Sequence, residues 1–396
     1  MLFFLAALVA IHSNFDGGNI GKIETLAPDH FRCHIVGQAD QDGRNRQANW
    51  YYFRVDHAAN RTITFDLVDL AGEYNYQANR GAITKDTLPF YTSDQVHWHP
   101  VEDAVYDASV PSLQFKITAP ADTFWVAHVP AYTAENLATL LRDVSKSGAV
   151  KESIVGKSVE GRPIPLLTIT DSSVSDEGKK VIWLMFRQHA WEAGSSWTGD
   201  GLIRFATSSD PVAARIRRET ILKIFPLCDP DGVADGGVRF NRNGYDLNRN
   251  WDLVDPVKMP EIGAERRAIL DWVDSGKRID FFLTLHNTET NEYLNCGPDP
   301  TPTQRALLQR VFDLWSAGTT FAAAQPPTFS ATTTTAGKPG RMNVVQGLYH
   351  DRHIPGFEVE MRIVKHPKLN RRPSIEDRQR AGKELIQAIW KGLEEK

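Results

Sequence analysis

The sequence predicts an α/β protein: a domain on a mixed sheet, preceded by an antiparallel β-sandwich. Three observations carry this. Up to about residue 130 the chain is a series of short aromatic and β-branched runs between turn signals, without long helical periods. Beyond that point strand-like and helix-like segments alternate, as in a mostly parallel or mixed sheet. The length of 396 residues also exceeds one ordinary domain. With 41% hydrophobic and 24% charged residues, the composition supplies a sizeable core and argues against disorder.

The elements follow in order. Leu2 to Ile11 is a continuous apolar run with the length of a signal-peptide core. Residues 1–12 are therefore read as a signal segment, which implies a secreted or periplasmic protein. No Lys or Arg precedes the run, so the alternative is a first β-strand entering the Asp16-Gly17-Gly18 turn, in a cytoplasmic protein. Residues 13–130 form the sandwich. Its strands are expected at Asn49–Val55, Arg61–Leu67, Val96–Trp98, Leu113–Ile117 and Thr123–Val129, with Ile63, Phe65 and Leu67 sharing one face. Asp42-Gly43, Ala71-Gly72, Arg80-Gly81 and Ala119-Pro120 mark turns.

Residues 131–396 form the second domain. Thr133–Asn136 starts a helix whose stripe is Leu137, Leu140, Leu141 and Val144. Strands are expected at Val181–Phe186, Ile221–Leu227 and Ile279–Leu285, and helices at Val212–Glu219, Glu261–Ser275, 304–317 and Ile375–Leu393. The Thr-rich Ala331–Gly340 reads as a mobile loop. No internal apolar run reaches the ~18 residues of a membrane span.

Charge and cysteine content narrow the chemistry. Forty-five Lys and Arg against 49 Asp and Glu leave a net charge of −4, unlike the basic footprint of a nucleic-acid binder. Cys33, Cys228 and Cys296 are too scattered for a disulfide framework or a zinc ribbon, so any metal is left to His and carboxylate. In an open α/β sheet, ligands sit beyond the carboxyl ends of the strands. His189 follows one predicted strand, His286 ends another, and Glu192 lies one turn past His189. Two His and a Glu with an open position is a catalytic zinc arrangement. Downstream, Arg239, Asn248 and Arg249 supply forked and amide donors suited to a carboxylate or an oxyanion. Asp229 and Asp231 suggest calcium, but Gly232 does not fit the calcium-loop template. The pair His97 and His99 lacks a third partner and reads as a surface strand. Cys228 reads as a packed residue rather than a nucleophile, with no base beside it. His350 and His353 flank a turn, and Asp40–Gly43 is a turn.

These residues resemble the zinc metallocarboxypeptidases. The matching elements are His189-x-x-Glu192, Pro-Asp-Gly-Val at 230–233, Gly244-x-Asp-Leu-Asn-Arg-Asn-Trp251, the strand-end His286, and Glu-Met-Arg at 360–362. Phe15–Asn19, Asn49–Phe53, Val129–Thr133 and Glu192–Trp197 are similar to landmarks of the cytosolic-carboxypeptidase-like branch, which carries a β-sandwich before its catalytic domain. The resemblance implies zinc on His189, Glu192 and His286, Arg239 on the scissile carbonyl, and Asn248 with Arg249 on the free C-terminal carboxylate. It implies a general base on the late strand: Glu360, with Glu358 second. Ala190-Trp191 stands where many members have Pro-Gly, and Asn287-Thr288 where the tubulin-processing branch has Gly-His after the third ligand. Tyr349 is the candidate for the family's substrate-closing tyrosine.

The function expected is removal of C-terminal residues from peptides or proteins by metal-activated water. The alternatives are a zinc amidase or deacylase on the same scaffold, and a non-catalytic peptide- or carbohydrate-binding protein. No feature of the sequence points to a particular oligomeric state.

Overall fold

The computed structural model describes residues 8–74, 76–79, 83–297, 300–329 and 340–394. It divides into two compact units, Met1–Ala131 with Val233–Val238, and Tyr132–Gly232 with Arg239–Lys396. Most of the expected signal segment (through Ala7), the Arg80-Gly81 turn and Ala331–Pro339 of the expected loop lie outside the described residues.

The first unit contains β1 (Ala10–His12), β2 (Ile23–Ala27), β3 (His30–His34), β4 (Tyr52–Asp56), β5 (Thr62–Val68), β6 (Gly72–Tyr74), β7 (Gln77–Asn79), β8 (Phe90–Thr92), β9 (His99–Pro100), β10 (Ala104–Asp107), β11 (Ser112–Thr118) and β12 (Phe124–Ala127). Among the described residues they form two five-stranded sheets, β1-β4-β12-β8-β9 and β10-β11-β5-β3-β2, with β6-β7 as a separate hairpin. The two sheets share one core. Phe53 and Phe124 from one sheet and Phe65 and Phe115 from the other lie together in it. The expected alternation on β5 holds, with Ile63, Phe65 and Leu67 fully buried.

The sandwich is present as expected, with one departure from antiparallel pairing and one expected strand missing. β3 and β5 run parallel, so the sandwich is not purely antiparallel. Val96–Trp98 is not a strand: Val96 and His97 lie in a bend, because the Asp94 carboxylate accepts hydrogen bonds from the Val96 and His97 amides and from His97 Nδ1. Ala10 and Ile11, at the end of the apolar run, pair with Asp56 and Val55. The Asp40–Gly43 turn is present, its Asp40 carboxylate accepting the Asp42 and Arg44 amides.

The second unit contains α1 (Ala134–Ser145), β13 (Val150–Lys157), β14 (Pro163–Ile169), β15 (Lys180–Phe186), α2 (Ala193–Thr207), α3 (Pro211–Glu219), β16 (Thr220–Phe225), α4 (Pro230–Ala234, whose end falls in the first unit), α5 (Pro260–Asp274), β17 (Phe281–Thr288), β18 (Tyr293–Cys296), α6 (Pro302–Ser316), β19 (Thr328–Phe329), α7 (Val344–Arg352), β20 (Gly356–Arg362) and α8 (Ile375–Glu394). The sheet order is β13-β14-β16-β15-β17-β20-β18-β19. Its central strands β16, β15, β17 and β20 are parallel, and β14 and β18 join antiparallel.

Strand periodicity sets which face does chemistry. On β15, Ile182, Leu184 and Phe186 pack in one core with α1, α2, α3, α6 and α8. Val181, Trp183 and Met185 pack on the opposite face with α5 and α7. On β17 and β20, Phe281, Leu283, Leu285, Phe357, Val359 and Met361 fill the first face. Thr284, His286, Glu358 and Glu360, at the intervening positions, point to the second.

The first core depends on close approach of α2 to α8. A Cβ at Gly382 would lie 2.0 Å from the Thr198 carbonyl oxygen, and one at Gly201 would lie 2.2 Å from the Gln379 backbone. Backbone cannot yield as a side-chain tip can, so overpacking here costs about 1–3 kcal/mol. Gly382→Ala should lower the urea midpoint accordingly and leave turnover per folded molecule unchanged. An unaltered midpoint would show that the helices separate freely.

Candidate metal centre

The centre is built at the carboxyl ends of β15 and β17. After Phe186 the chain turns sharply, with Arg187 in a left-handed conformation (φ 62°). The buried Arg187 guanidinium holds this turn, its Nε donating to the Ala190 carbonyl (2.8 Å) and Nη1 to Ser196 Oγ (3.1 Å). Glu192 is the N-cap residue of α2. The first turn of α2 is tied to β17 by the Ser195 amide, which donates to Asn287 Oδ1 (2.8 Å). Asn287 is thus a structural partner of the neighbouring strand.

His189 Nδ1 lies 2.7 Å from Glu192 Oε1, and His286 Nδ1 lies 2.9 Å from Glu192 Oε2. One donor atom from each of the three buried residues falls within 4.8 Å of the others. The outer nitrogens are also engaged. His189 Nε2 donates to Asp246 Oδ1 (3.0 Å), and His286 Nε2 lies 3.1 Å from Gln188 Oε1. Such partners orient imidazoles for a metal. Burial and Arg239 oppose charge on His189, yet the carboxylates of Glu192 and Asp246 outweigh them and raise its pKa. The ring therefore favours a cation at Nδ1, a proton or a metal ion. Burial opposes ionisation of Glu192, but the two imidazoles hold its pKa at about 2. A convergent, buried His₂Glu set with outer-nitrogen partners fits zinc.

The loop after α4 supplies the cationic side. Phe240 bridges Asp246, and the Gly244 amide (φ 84°) donates to the Asn241 carbonyl, closing a tight turn. This brings Arg239 Nε to Asp246 Oδ2 at 2.8 Å. Burial would raise the Asp246 pKa, but Arg239, Arg249 and His189 hold it well below the usual carboxylate range. Asp246 thus joins the arginines to the metal set. It was not singled out in the sequence, although it stands two residues before Asn248. Gln188 and Thr284 were missed likewise; Thr284 Oγ1 donates to Gln188 Oε1 (2.6 Å) and so steadies the partner of His286.

Asn248 and Arg249 are both buried. Asn248 is engaged inside the protein: Nδ2 donates to Glu358 Oε2 (3.0 Å), and Oδ1 accepts the Val344 amide (3.0 Å). Arg249 Nη1 donates to the Asn248 carbonyl (2.7 Å), while its Nε has no hydrogen-bond partner among the described residues.

The two strand glutamates have different surroundings. Glu358 Oε2 accepts from Asn248 and also from Asn343 Nδ2 (2.6 Å), the N-cap residue of α7. Glu360 pairs in register with His286, whereas Glu358 pairs with Thr284. Glu360 Oε2 is shielded and has no hydrogen-bond partner among the described residues. Burial, then Glu192 and Glu358, push its pKa well above the ordinary value, against the pull of Arg239. Tyr349 lies on α7 with its ring against His353, 5.3 Å between centroids. Cys228 is buried, and burial together with Glu265 raises its thiol pKa well above the ordinary value, which removes nucleophilic character.

Residues 138–339 match the zinc carboxypeptidase family, and residues 11–129 match the cytosolic carboxypeptidase N-terminal domain. Cytosolic carboxypeptidase 6 of Mus musculus is 27% identical over 291 residues, covering 70% of this chain and 52% of that protein. Cytosolic carboxypeptidase 2 of Homo sapiens is 27% identical over 323 residues, covering 76% and 35%. The chain thus spans about half or less of these two relatives. A metallo-carboxypeptidase from Burkholderia cenocepacia has the same fold, with a TM-score of 0.82 at 23% identity over 98% of this chain and 99% of that one. A metallo-carboxypeptidase from Pseudomonas aeruginosa superposes with a TM-score of 0.80, also at 23% identity, over 97% and 99%. The family match takes in His189, Glu192, Arg239 and His286, and by it this chain belongs to the zinc carboxypeptidase family.

Proposed function

We propose that the chain removes C-terminal residues from peptides or proteins, with zinc held by His189, Glu192 and His286. The observation that carries this reading is the convergence of both Nδ1 atoms on the Glu192 carboxylate, beside a glutamate with no hydrogen-bond partner on one oxygen among the described residues. Zinc, when bound, supplies acidification of a water and polarisation of a carbonyl. Glu360 takes the proton of the attacking water and passes it to the departing amine. Its register beside His286 favours it over Glu358, whose Oε2 is occupied by two amides. Arg239, steadied by Asp246, stabilises the oxygen that becomes negative in the transition state.

Arg249 is the principal grip on the substrate's terminal carboxylate, supported by an Nε with no partner among the described residues. Asn248, expected to share that grip, chiefly positions Arg249 and Glu358 through the contacts it already makes. A fixed terminal carboxylate brings the last peptide bond into register.

The test compares a peptide with its C-terminally amidated twin. A hydrogen bond to a charged group contributes about 1.5–3 kcal/mol, so the amide should be cut about ten- to a hundredfold more slowly. Arg249→Ala should shrink that ratio by slowing cleavage of the free acid. Equal wild-type rates on acid and amide would favour the amidase reading instead. If the N-terminal apolar run is a signal, the enzyme works outside the cytoplasm; that reading is a proposal, tested by the N-terminus of the mature protein.

A further inference from the structure

A cavity of about 620 Å³ lies in the second unit, lined by residues of β13, β14, β15, β16 and α5, the connection between β14 and β15, and the turn after α5. It includes Lys179 and Val181, at the amino end of β15, whereas His189 follows the carboxyl end. The seven residues of β15 span roughly 20 Å at about 3.3 Å each. The cavity is therefore separate from the metal centre, and nothing in the proposed mechanism uses it.

Its lining is cationic. Lys151, Lys179, Lys223, Lys277 and Arg278 face it, with Asp176 the one carboxylate among its lining residues. Lys179 is paired with Asp176 (2.9 Å) and Arg278 with Asp280 (2.9 Å). Lys151, Lys223 and Lys277 form no ion pair with a carboxylate among the described residues. On a chain with net charge −4, four lysines and an arginine against one carboxylate at one cavity are a local reversal of sign.

Two of them are also held in place. Lys223 Nζ donates to Thr168 Oγ1 (2.9 Å) and stands 4.7 Å from the centroid of the Trp272 ring. Lys277 Nζ stands 4.3 Å from the same centroid. Trp272 is itself fixed, its Nε1 donating to the Arg278 carbonyl (3.0 Å) and its ring lying edge-on to Trp183. Cation–π contact places both ammonium groups at one indole instead of leaving them to wave in water. Burial, then Lys277 and Lys151, lower the pKa of Lys223 against the pull of Asp176. An anion bound beside these groups offsets their mutual repulsion.

We propose that this cavity binds a small multivalent oxyanion, a compound with two or more phosphate or carboxylate groups, through Lys151, Lys223 and Lys277. The volume suits a small-molecule ligand. Pre-placed donors reduce the ordering cost of binding.

The experiment is calorimetric titration of the full zinc-loaded chain at low ionic strength, with sodium tripolyphosphate in one arm and citrate in the other. One site per chain is expected for at least one probe, and the stronger of the two names the ligand class. Lys277→Gln, at an exposed position that cannot threaten folding, should weaken binding about tenfold. Lys223→Gln combined with it should weaken binding further, and Lys116→Gln, on the first unit, should change nothing. Peptide hydrolysis by Lys277→Gln should equal wild type, which separates this site from the metal centre. Failure of both probes to bind overturns the proposal. So does binding that Lys277→Gln and the double variant leave unchanged, since the anion would then sit elsewhere, the metal centre included.

Discussion

Glu360→Gln should retain full zinc and lose hydrolysis by about three to four orders of magnitude, while the peptide still binds. General acid–base catalysis contributes about 10²–10⁴ in rate, and Glu360 is assigned both the proton taken and the proton returned. The substitution keeps shape but removes basicity. Glu358→Gln is the matched control on the same strand. Its Oε2 already accepts two amide hydrogens, from Asn248 and Asn343, and a Gln carbonyl oxygen can still accept them. A loss of less than about tenfold is expected there, from disturbed packing rather than from chemistry. Metal analysis with single-turnover kinetics separates the two. A reversed outcome, Glu358→Gln inert and Glu360→Gln active, would move the base to the position in register with Thr284.

The contrast between these glutamates shows what could be read without coordinates. Their common face follows from a separation of two in a strand, and the metal residues follow from strand ends, because both features are local. Which glutamate is occupied is not local. It depends on Asn343 at the start of α7 and on Asn248, 110 residues before Glu358 in the chain. Asp246 escaped notice for the same reason: its value lies in reaching His189, 57 residues away. Helix-strand alternation foretold a mostly parallel or mixed sheet holding β15, β16 and β17, but not which strands pair, and β20 was expected only from the family resemblance. β13 and β14 were not expected, since Val150–Lys157 is largely exposed and lacks a clear period of two. In the first unit, the Asp94 turn overrode the strand propensity of Val96–Trp98 through three hydrogen bonds to one side chain. Local propensity yields when a short polar side chain offers the backbone closer partners.

His189→Ala and His286→Ala should each bring zinc content from one ion per chain to near zero and abolish hydrolysis. A three-ligand site cannot lose one ligand and keep its geometry. The fold should persist, because both side chains sit at strand ends rather than in the apolar cores. The metal-free protein nevertheless should become less stable. Glu192 is buried between the two imidazoles, which hold its pKa at about 2, and removing either leaves a buried carboxylate with one imidazole beside it. Asp246→Asn probes the outer partner instead. It keeps all three ligands but weakens the hold on His189 Nε2, and should reduce zinc affinity about 10–100-fold. His97→Ala, whose ring is engaged by Asp94 in the first unit, should change neither zinc content nor rate. Plasma emission analysis of dialysed protein, with circular dichroism for the fold, gives the decision. Full zinc in both histidine variants would remove these residues from the metal centre. Zinc loss from Asp246→Asn as complete as from His189→Ala would mean that Asp246 is itself a ligand, and that the imidazole turns to offer its other nitrogen.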